Sequence, residues 1–487
     1  MPRNTRAELS RRSVLATAAS ALADRALALS SAPVSDFWVE QARNHRQSKT
    51  ETLRILIPEG SDANITPIAT GFSQSTGVRT DISQVGIREI GTKLLTSRLM
   101  NRETFDVVVP PTYEIPDLVA AGALQTLDQL LPGDATNLRE KAALYTLGDT
   151  FNGVRYGHQT DGDVFVMFLN RDILTDPNLR HQYEERFGAP LKPPQSWSEL
   201  DRQIAFISEA TGRPCAVFFR DRGQIEWEFW LRLHAKGLWP LSKSFDPQFD
   251  SPEGLEALSE MMAITPYVLE NLGNEGTFLN GWEKYLENSA YVTFGWGGTQ
   301  KFFRLSQLAR SGSILPAQIP GGEGPDTPDS LPYFNWGWSY TVSREATNPG
   351  LAHSFINYAI SAEISTMAIR EGSGYFDPFR EEHYQDAAIR DIYGDEFLEV
   401  HKSSLSNAIP DLYIANRRAY FDTLGAWLTL AIDGTIDPAI ALQKASDHWR
   451  LLADQREKQQ QVMRWQRLRA TYPPAVAARL RDIPRQT

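Results

Sequence analysis

Apolar runs of strand length alternate with amphipathic stretches of helix length along most of the chain. "TLRILIPEG", Thr52 to Gly60, has the pattern of a buried strand ending in a turn. "NITPIATGFSQSTG", Asn64 to Gly77, sets Ile68 and Phe72 one helical turn apart and stops on glycine, which predicts a helix. "VRTDISQVG" reads as a second strand and "REIGTKLLTSRLMN" as an amphipathic helix. "FDVVVPP", Phe105 to Pro111, is a short buried strand broken by proline, and "EIPDLVAAGALQTLDQLL" returns as helix and turn. Strand and helix in alternation predict a parallel sheet in an α/β lobe.

The pattern continues through "YGHQTDGDVFVMFLNRD", Tyr156 to Asp172, where Asp161 and Asp163 stand beside the apolar run Val164 to Leu169. "PPQSWSELDRQIAFISEATG" predicts a helix capped by Ser196 or Ser198 and ended by Gly212. Helical segments dominate from Ile225 to Leu286. "AYVTFGWGG", Ala290 to Gly298, is then a strand closing on glycines, and Pro316 to Ser330 a Gly/Pro loop. "FNWGWSYTVS", Phe334 to Ser343, reads as one strand and "NPGLAHSFINYAIS" as a helix. Residues 33 to 51 are polar, a loose leader or a short helix. The end is a long helical pattern whose Trp449, Leu452, Val462, Met463 and Trp465 are expected to dock on a lobe.

Composition narrows the class. At 487 residues the chain exceeds one ordinary core, so two or more lobes are expected. A net charge of −11 argues against nucleic acid as a partner. Cys215 is the only cysteine, and the eight histidines form no zinc-binding spacing, so neither a disulfide nor a metal is expected. No cofactor fingerprint appears. Twelve tryptophans are more than a core needs.

The first thirty residues read as an export signal. Arg3, Arg6, Arg11 and Arg12 introduce "SRRSVLATAASALA", an apolar run too short to span a bilayer, and two small-x-small cleavage sites follow. The paired arginines resemble a twin-arginine signal, with an ordinary Sec signal as the alternative. No cysteine follows the run, so no lipid anchor is expected and the destination is the periplasm.

Taken in order, these segments resemble the extracellular solute-binding proteins of ABC importers, in the sugar-binding branch that includes maltose-binding protein. The likeness runs from about residue 52 to 455. "FDVVVPPTYEIPDLVAAGALQTLDQLL", "RYGHQTDGDVFVMFLNRDIL", "PPQSWSEL", "FLNGWEKYLENSAYVTFGWGG", "PAQIPGGEG" and "WGWSYTVSREATNPGLAHSFINYAISAE" each match a family segment. The departures are the insertion Thr175 to Lys192 and the helical tail 456–487. The resemblance implies a two-lobed α/β fold with a hinge and a ligand cleft between the lobes. One lobe takes 52–160 and 299–345, the other 161–298 and 346–455. It also implies a sugar or polyol ligand, an ABC permease as partner, a monomer, no cofactor and no catalysis. An exported enzyme such as a glycoside hydrolase, or the same fold with a non-sugar solute, are the alternatives.

On that pattern Gln159, Asp161 and Asp163 lie at the cleft floor, unless they only form a polar turn. At most one of the two acids is expected to face ligand, and they are not expected to act as an acid/base pair. Trp227, Trp296, Trp336 and Trp338 are candidates for stacking on a sugar face, against packing in a core. Trp296 has space beside it from Gly295, Gly297 and Gly298, and Trp336 and Trp338 are expected on one strand face. Glu59, Ser61, Thr112 and Tyr113 follow strand ends, where ligands bind in open α/β sheets, or are simply solvated loop. Tyr375 and Asp377, in "GSGYFDP", either close on a ligand or turn the chain.

Overall fold

β1 (Thr52–Pro58) and β2 (Arg79–Val85) pair in parallel from Thr52↔Arg79 to Pro58↔Val85, joined by the helix Asp62–Thr76 and its left-handed stop Gly77. This is the parallel strand–helix–strand unit expected where a strand run, a helical run and a strand run follow one another. The computed structural model describes residues 34–100, 103–130, 143–221, 223–269, 278–310, 312–455 and 458–484. The expected export signal, with Arg11 and Arg12, lies outside the described residues. Among those residues no helix is long and apolar enough to cross a membrane.

The further strands are β3 (Val107–Val108), β4 (Thr150–Phe151), β5 (Val154–Arg155), β6 (Gly157–Gln159), β7 (Val164–Asn170), β8 (Ala216–Val217), β9 (Val292–Gly295), β10 (Ile314–Ala317), β11 (Tyr333–Phe334), β12 (Ser339–Val342) and β13 (Ile409–Pro410). One sheet runs β2-β1-β3-β12-β6 and the other β13-β11-β7-β9-β8, with β10 also on β7; β4 and β5 form a hairpin. Each sheet carries its own helices. Asp62–Thr76, Pro349–Ala359 and Ala362–Ile369 pack by the first, and Gly297–Leu305, Ala387–Tyr393 and Asp395–Ser406 by the second. The molecule is therefore two α/β lobes.

The lobes divide the chain differently from the expected boundaries. Residues 299–345 do not stay together, because β10 and β11 pair with β7 in the second sheet while β12 pairs with β3 and β6 in the first. Residues 349–369 return to the first lobe. The cause is Gly337, whose φ of +67° breaks the single strand expected over Phe334 to Ser343 and turns the chain from one sheet to the other. Trp336 and Trp338 consequently sit in a crossing segment rather than along one strand.

Other elements follow local chemistry closely. Ser196 caps the helix Trp197–Thr211 by accepting from Glu199 N–H at 3.2 Å, and Gly212 ends it. Residues 33 to 51 include the helix Val34–His45, held by Trp38, which meets the His353 ring edge-on. The insertion forms the helix Pro177–Phe187, whose Tyr183 packs on Phe206 of the second lobe. The terminal pattern is two helices, Pro438–Asp454 and Lys458–Arg469. Trp449 and Trp465 are buried as expected, whereas Met463 is exposed. Cys215 is buried, accepts from Ser208 Oγ at 3.1 Å, and burial pushes its thiol pKa up to about 12.

Candidate interlobe ligand site

Three segments carry the chain between the sheets: 160–163 after β6, 335–338 before β12, and 370–378 after the helix Ala362–Ile369. Most of the residues singled out in the sequence lie on or beside them.

Rings from both lobes meet at the second crossing. Trp336 makes edge contacts with Tyr113 of the first lobe at 5.2 Å and with Trp227 and Phe278 of the second at 6.1 and 5.7 Å. Trp296 stacks on Phe219 at 5.7 Å and lies 6.5 Å from Trp336. Its indole N–H donates to Asn335 at 2.9 Å. Trp338 stands 6.1 Å from Trp336. These rings form one aromatic wall, drawn closed. The glycines around Trp296 do not serve its ring, however. A Cβ on Gly295 would strike Thr299, and one on Gly297 would lie 2.3 Å from the Asp377 carboxyl carbon.

Polar groups without partners border the wall. Trp227 Nε1, Gln159 Oε1 and Asn335 Nδ2 are buried and make no hydrogen bond. Both carboxylate oxygens of Glu226 are in the same condition, and burial, partly offset by Arg417, pushes its pKa up to about 8. Arg417 lies 4.6 Å from the Tyr113 ring and 2.6 Å from Asp411, which also accepts from Tyr333 at 2.8 Å. Glu226, Arg417, Asp411, Phe219 and Phe278 were missed in the sequence. Glu226 adjoins Trp227, which was the one available signal; Arg417 and Asp411 come close only through the fold.

The first and third crossings bring Asp161, Asp163 and Asp377 together, one carboxylate oxygen from each lying within 4.8 Å of the others. Asp161 and Asp163 both turn toward Asp377, as residues two apart on an extended chain share a face. Asp377 accepts from Gly298 N–H at 3.0 Å and Tyr393 O–H at 2.8 Å, and Lys301 Nζ is 3.5 Å away. Its own N–H donates to Asp161 at 2.7 Å. The Asp163 carboxylate lies against both other carboxyls. Burial first, then repulsion within the trio, raises Asp161 and Asp163 well above the usual carboxylate range. Gln159 reaches the same segment through Nε2, which donates to Asp161 O at 2.5 Å.

The strand-end candidates divide. Thr112 is buried, its N–H on Gly337 O at 3.0 Å and its hydroxyl 3.3 Å from Ser339, while Tyr113 joins the aromatic wall. Ser61 is buried and donates to Pro58 O at 2.7 Å. Glu59 is exposed. Tyr375 packs its ring over Gly60, whose φ of +88° and missing side chain allow the approach.

A family model described as bacterial extracellular solute-binding protein matches residues 68–391. No curated protein sequence matches. Among solved structures, the GacH receptor of Streptomyces glaucescens superposes with a TM-score of 0.66 at 19% identity, over 83% of this chain and 98% of that one. Maltose-bound MalE3 of T. maritima gives 0.67 at 17%, over 83% and 100%. A ribitol-bound ABC transporter solute-binding protein of Agrobacterium radiobacter K84 gives 0.67 at 17%, over 82% and 98%. Such identities speak to fold alone, and they agree with two lobes joined by crossing segments. With two thirds of its length matched by the family model, this chain belongs to the bacterial extracellular solute-binding proteins.

Proposed function

We propose that the protein is the receptor of an ABC importer, capturing a sugar or polyol between its lobes and delivering it to the permease as a monomer. The observation that carries this reading is the wall of Tyr113, Trp227, Trp296 and Trp336, bordered by Glu226, Trp227 Nε1 and Gln159 Oε1 without hydrogen-bond partners. Aromatic faces match the apolar face of a sugar ring. Unsatisfied buried acceptors and donors match its hydroxyls, and leaving them unmatched is costly. The similar structures point the same way, holding acarbose, maltose and ribitol in their reported complexes. Trp296 and Trp336 are the stacking residues in this reading, with Trp338 behind them. Glu59 and Tyr375 are the rim residues in this reading, with Ser61 and Thr112 buried behind them.

Capture needs no bond cleavage, so no catalytic residue, cofactor or metal is assigned. Contacts made to both lobes favour the closed arrangement. Export by Arg11 and Arg12 would place the receptor in the periplasm. A panel of sugars and polyols in a thermal-shift screen, followed by calorimetry, tests the reading. Saturable binding with the ligand recovered intact is expected. Steady product release from a glycoside would instead establish a hydrolase.

A further inference from the structure

Positive charge gathers at the aromatic wall without matching negative charge. Arg88 leaves the first lobe just after β2, and its guanidinium lies over Gly223, where a Cβ would stand 3.2 Å from Nη1. Gly223 falls between Phe219 and Trp227, two rings that both contact Trp296, so Arg88 reaches across to the second lobe beside the wall. Among the described residues Arg88 makes no ion pair and no hydrogen bond. Arg417 starts the helix Arg417–Ile432 of the second lobe and lies 4.6 Å from the Tyr113 ring of the first. Its Nη2 rests against Asp411 at 2.6 Å, but its Nε is buried with no acceptor. We propose that the ligand is a sugar or polyol carrying one carboxylate, a uronate or an aldonate, whose charge is met by Arg88 and by the idle Nε–H of Arg417.

The neighbouring acids do not cancel these cations. Asp411 is matched by Arg417. Asp221 makes no ion pair with Arg88, and Lys284 acts on it more strongly than Arg88 does. Burial pushes Glu226 up to about 8 and Glu114 up to about 7, so both retain protons into the neutral range. Arg88 is left as one uncompensated positive charge, on a chain whose net charge is −11. One surplus charge fits a monoanion. A guanidinium presents N–H donors at the spacing of carboxylate oxygens, and such charge-assisted bonds are about twice as strong as neutral ones. A phosphate ester carries about −1.5 to −2 charges at neutral pH and would leave negative charge unbalanced between the lobes. The acid still offers what a neutral sugar offers: an apolar face for Trp296 and Trp336, and hydroxyls for Gln159 Oε1, Glu226 and Trp227 Nε1.

The inference rests on the sugar-receptor reading and narrows its ligand class. Calorimetric titration of the ligand-free mature protein at neutral pH tests it with matched probes: hexoses and pentoses, their alditols, the corresponding uronates and aldonates, and glucose phosphate. One acid should bind roughly ten- to a hundred-fold tighter than its neutral partner, the value of charge-assisted bonds, and added salt should erode that margin. Arg88→Gln should remove most of the margin, costing the acid far more than the neutral sugar, and Arg88→Lys should keep part of it. Arg88 is only partly buried and has no partner to lose, so its variants keep the fold that Arg417→Gln puts at risk. Three results would each overturn the carboxylate assignment while leaving the sugar receptor standing: neutral sugars binding as tightly as their acids, the phosphate ester binding best, or an equal loss for acid and neutral partner in Arg88→Gln. Binding by no member of the series would overturn the receptor reading itself, and this inference with it.

Discussion

Glu226 is fully buried with neither oxygen hydrogen-bonded, and its pKa is pushed from 4.5 up to about 8. The folded carboxyl keeps its proton to higher pH than the unfolded one. Stability should therefore fall as pH climbs from about 4.5 to about 8 and stay reduced above. Glu226→Gln removes the ionisation, so urea melts of the ligand-free protein should show it more stable than wild type by up to ~3–5 kcal/mol at pH 9, with little difference at pH 4. Because the folded carboxyl still holds its proton at neutral pH, the same change should weaken sugar binding there by no more than roughly ten-fold, the value of a neutral hydrogen bond. Trp296 makes a second residue-level test. One face is stacked on Phe219 and its N–H is used by Asn335, so Trp296→Ala should cost ~3–5 kcal/mol of folding stability in denaturant melts. A loss of affinity without that destabilisation would mean the ring serves the ligand alone.

At the scale of elements, the start of the helix Gly297–Leu305 separates two neighbouring glycines. A side chain on Gly297 would collide with Asp377, while Gly298 faces open space. Gly297→Ala should lower stability by about 1–3 kcal/mol, an overpacking cost, and Gly298→Ala should leave it unchanged or raise it by up to about 1 kcal/mol. Differential melts of the pair measure the contrast. The sequence made the β1–β2 crossover, the Ser196 cap and the Gly212 stop legible, because propensity, periodicity and capping act within a few residues. It did not reveal that "FNWGWSYTVS" spans two sheets, since one left-handed glycine inside an apolar run looks like a strand until both partners are known. Asp161, Asp163 and Asp377 were each visible as candidates, but their meeting depends on two crossings more than 200 residues apart, a distance that local pattern does not encode. Arg417 and Asp411 carried no local signal at all.

The whole molecule is bound together at more than its crossings. Trp465, fully buried, donates to the carbonyls of Leu241 and Ser242, while Arg467 donates to Asn152 O at 3.0 Å and Arg464 lies 4.8 Å from the Phe151 ring. The terminal helix is thus seated on the second lobe and touches the β4–β5 hairpin. Trp465→Ala should destabilise by ~3–5 kcal/mol in thermal or urea unfolding. Replacing Arg11 and Arg12 with lysines should abolish periplasmic accumulation by the twin-arginine route, and undiminished protein in that fraction would assign the Sec route. Cys215 has a practical consequence of its own. Its thiol is sealed and hard to ionise, and it is the only one in the chain. Maleimide chemistry depends on an accessible thiolate. A cysteine introduced at Leu99 on the first lobe or Leu308 on the second, both exposed, would therefore take a dye without competition from the native residue. A doubly labelled molecule then reports the distance between lobes by energy transfer, one receptor at a time.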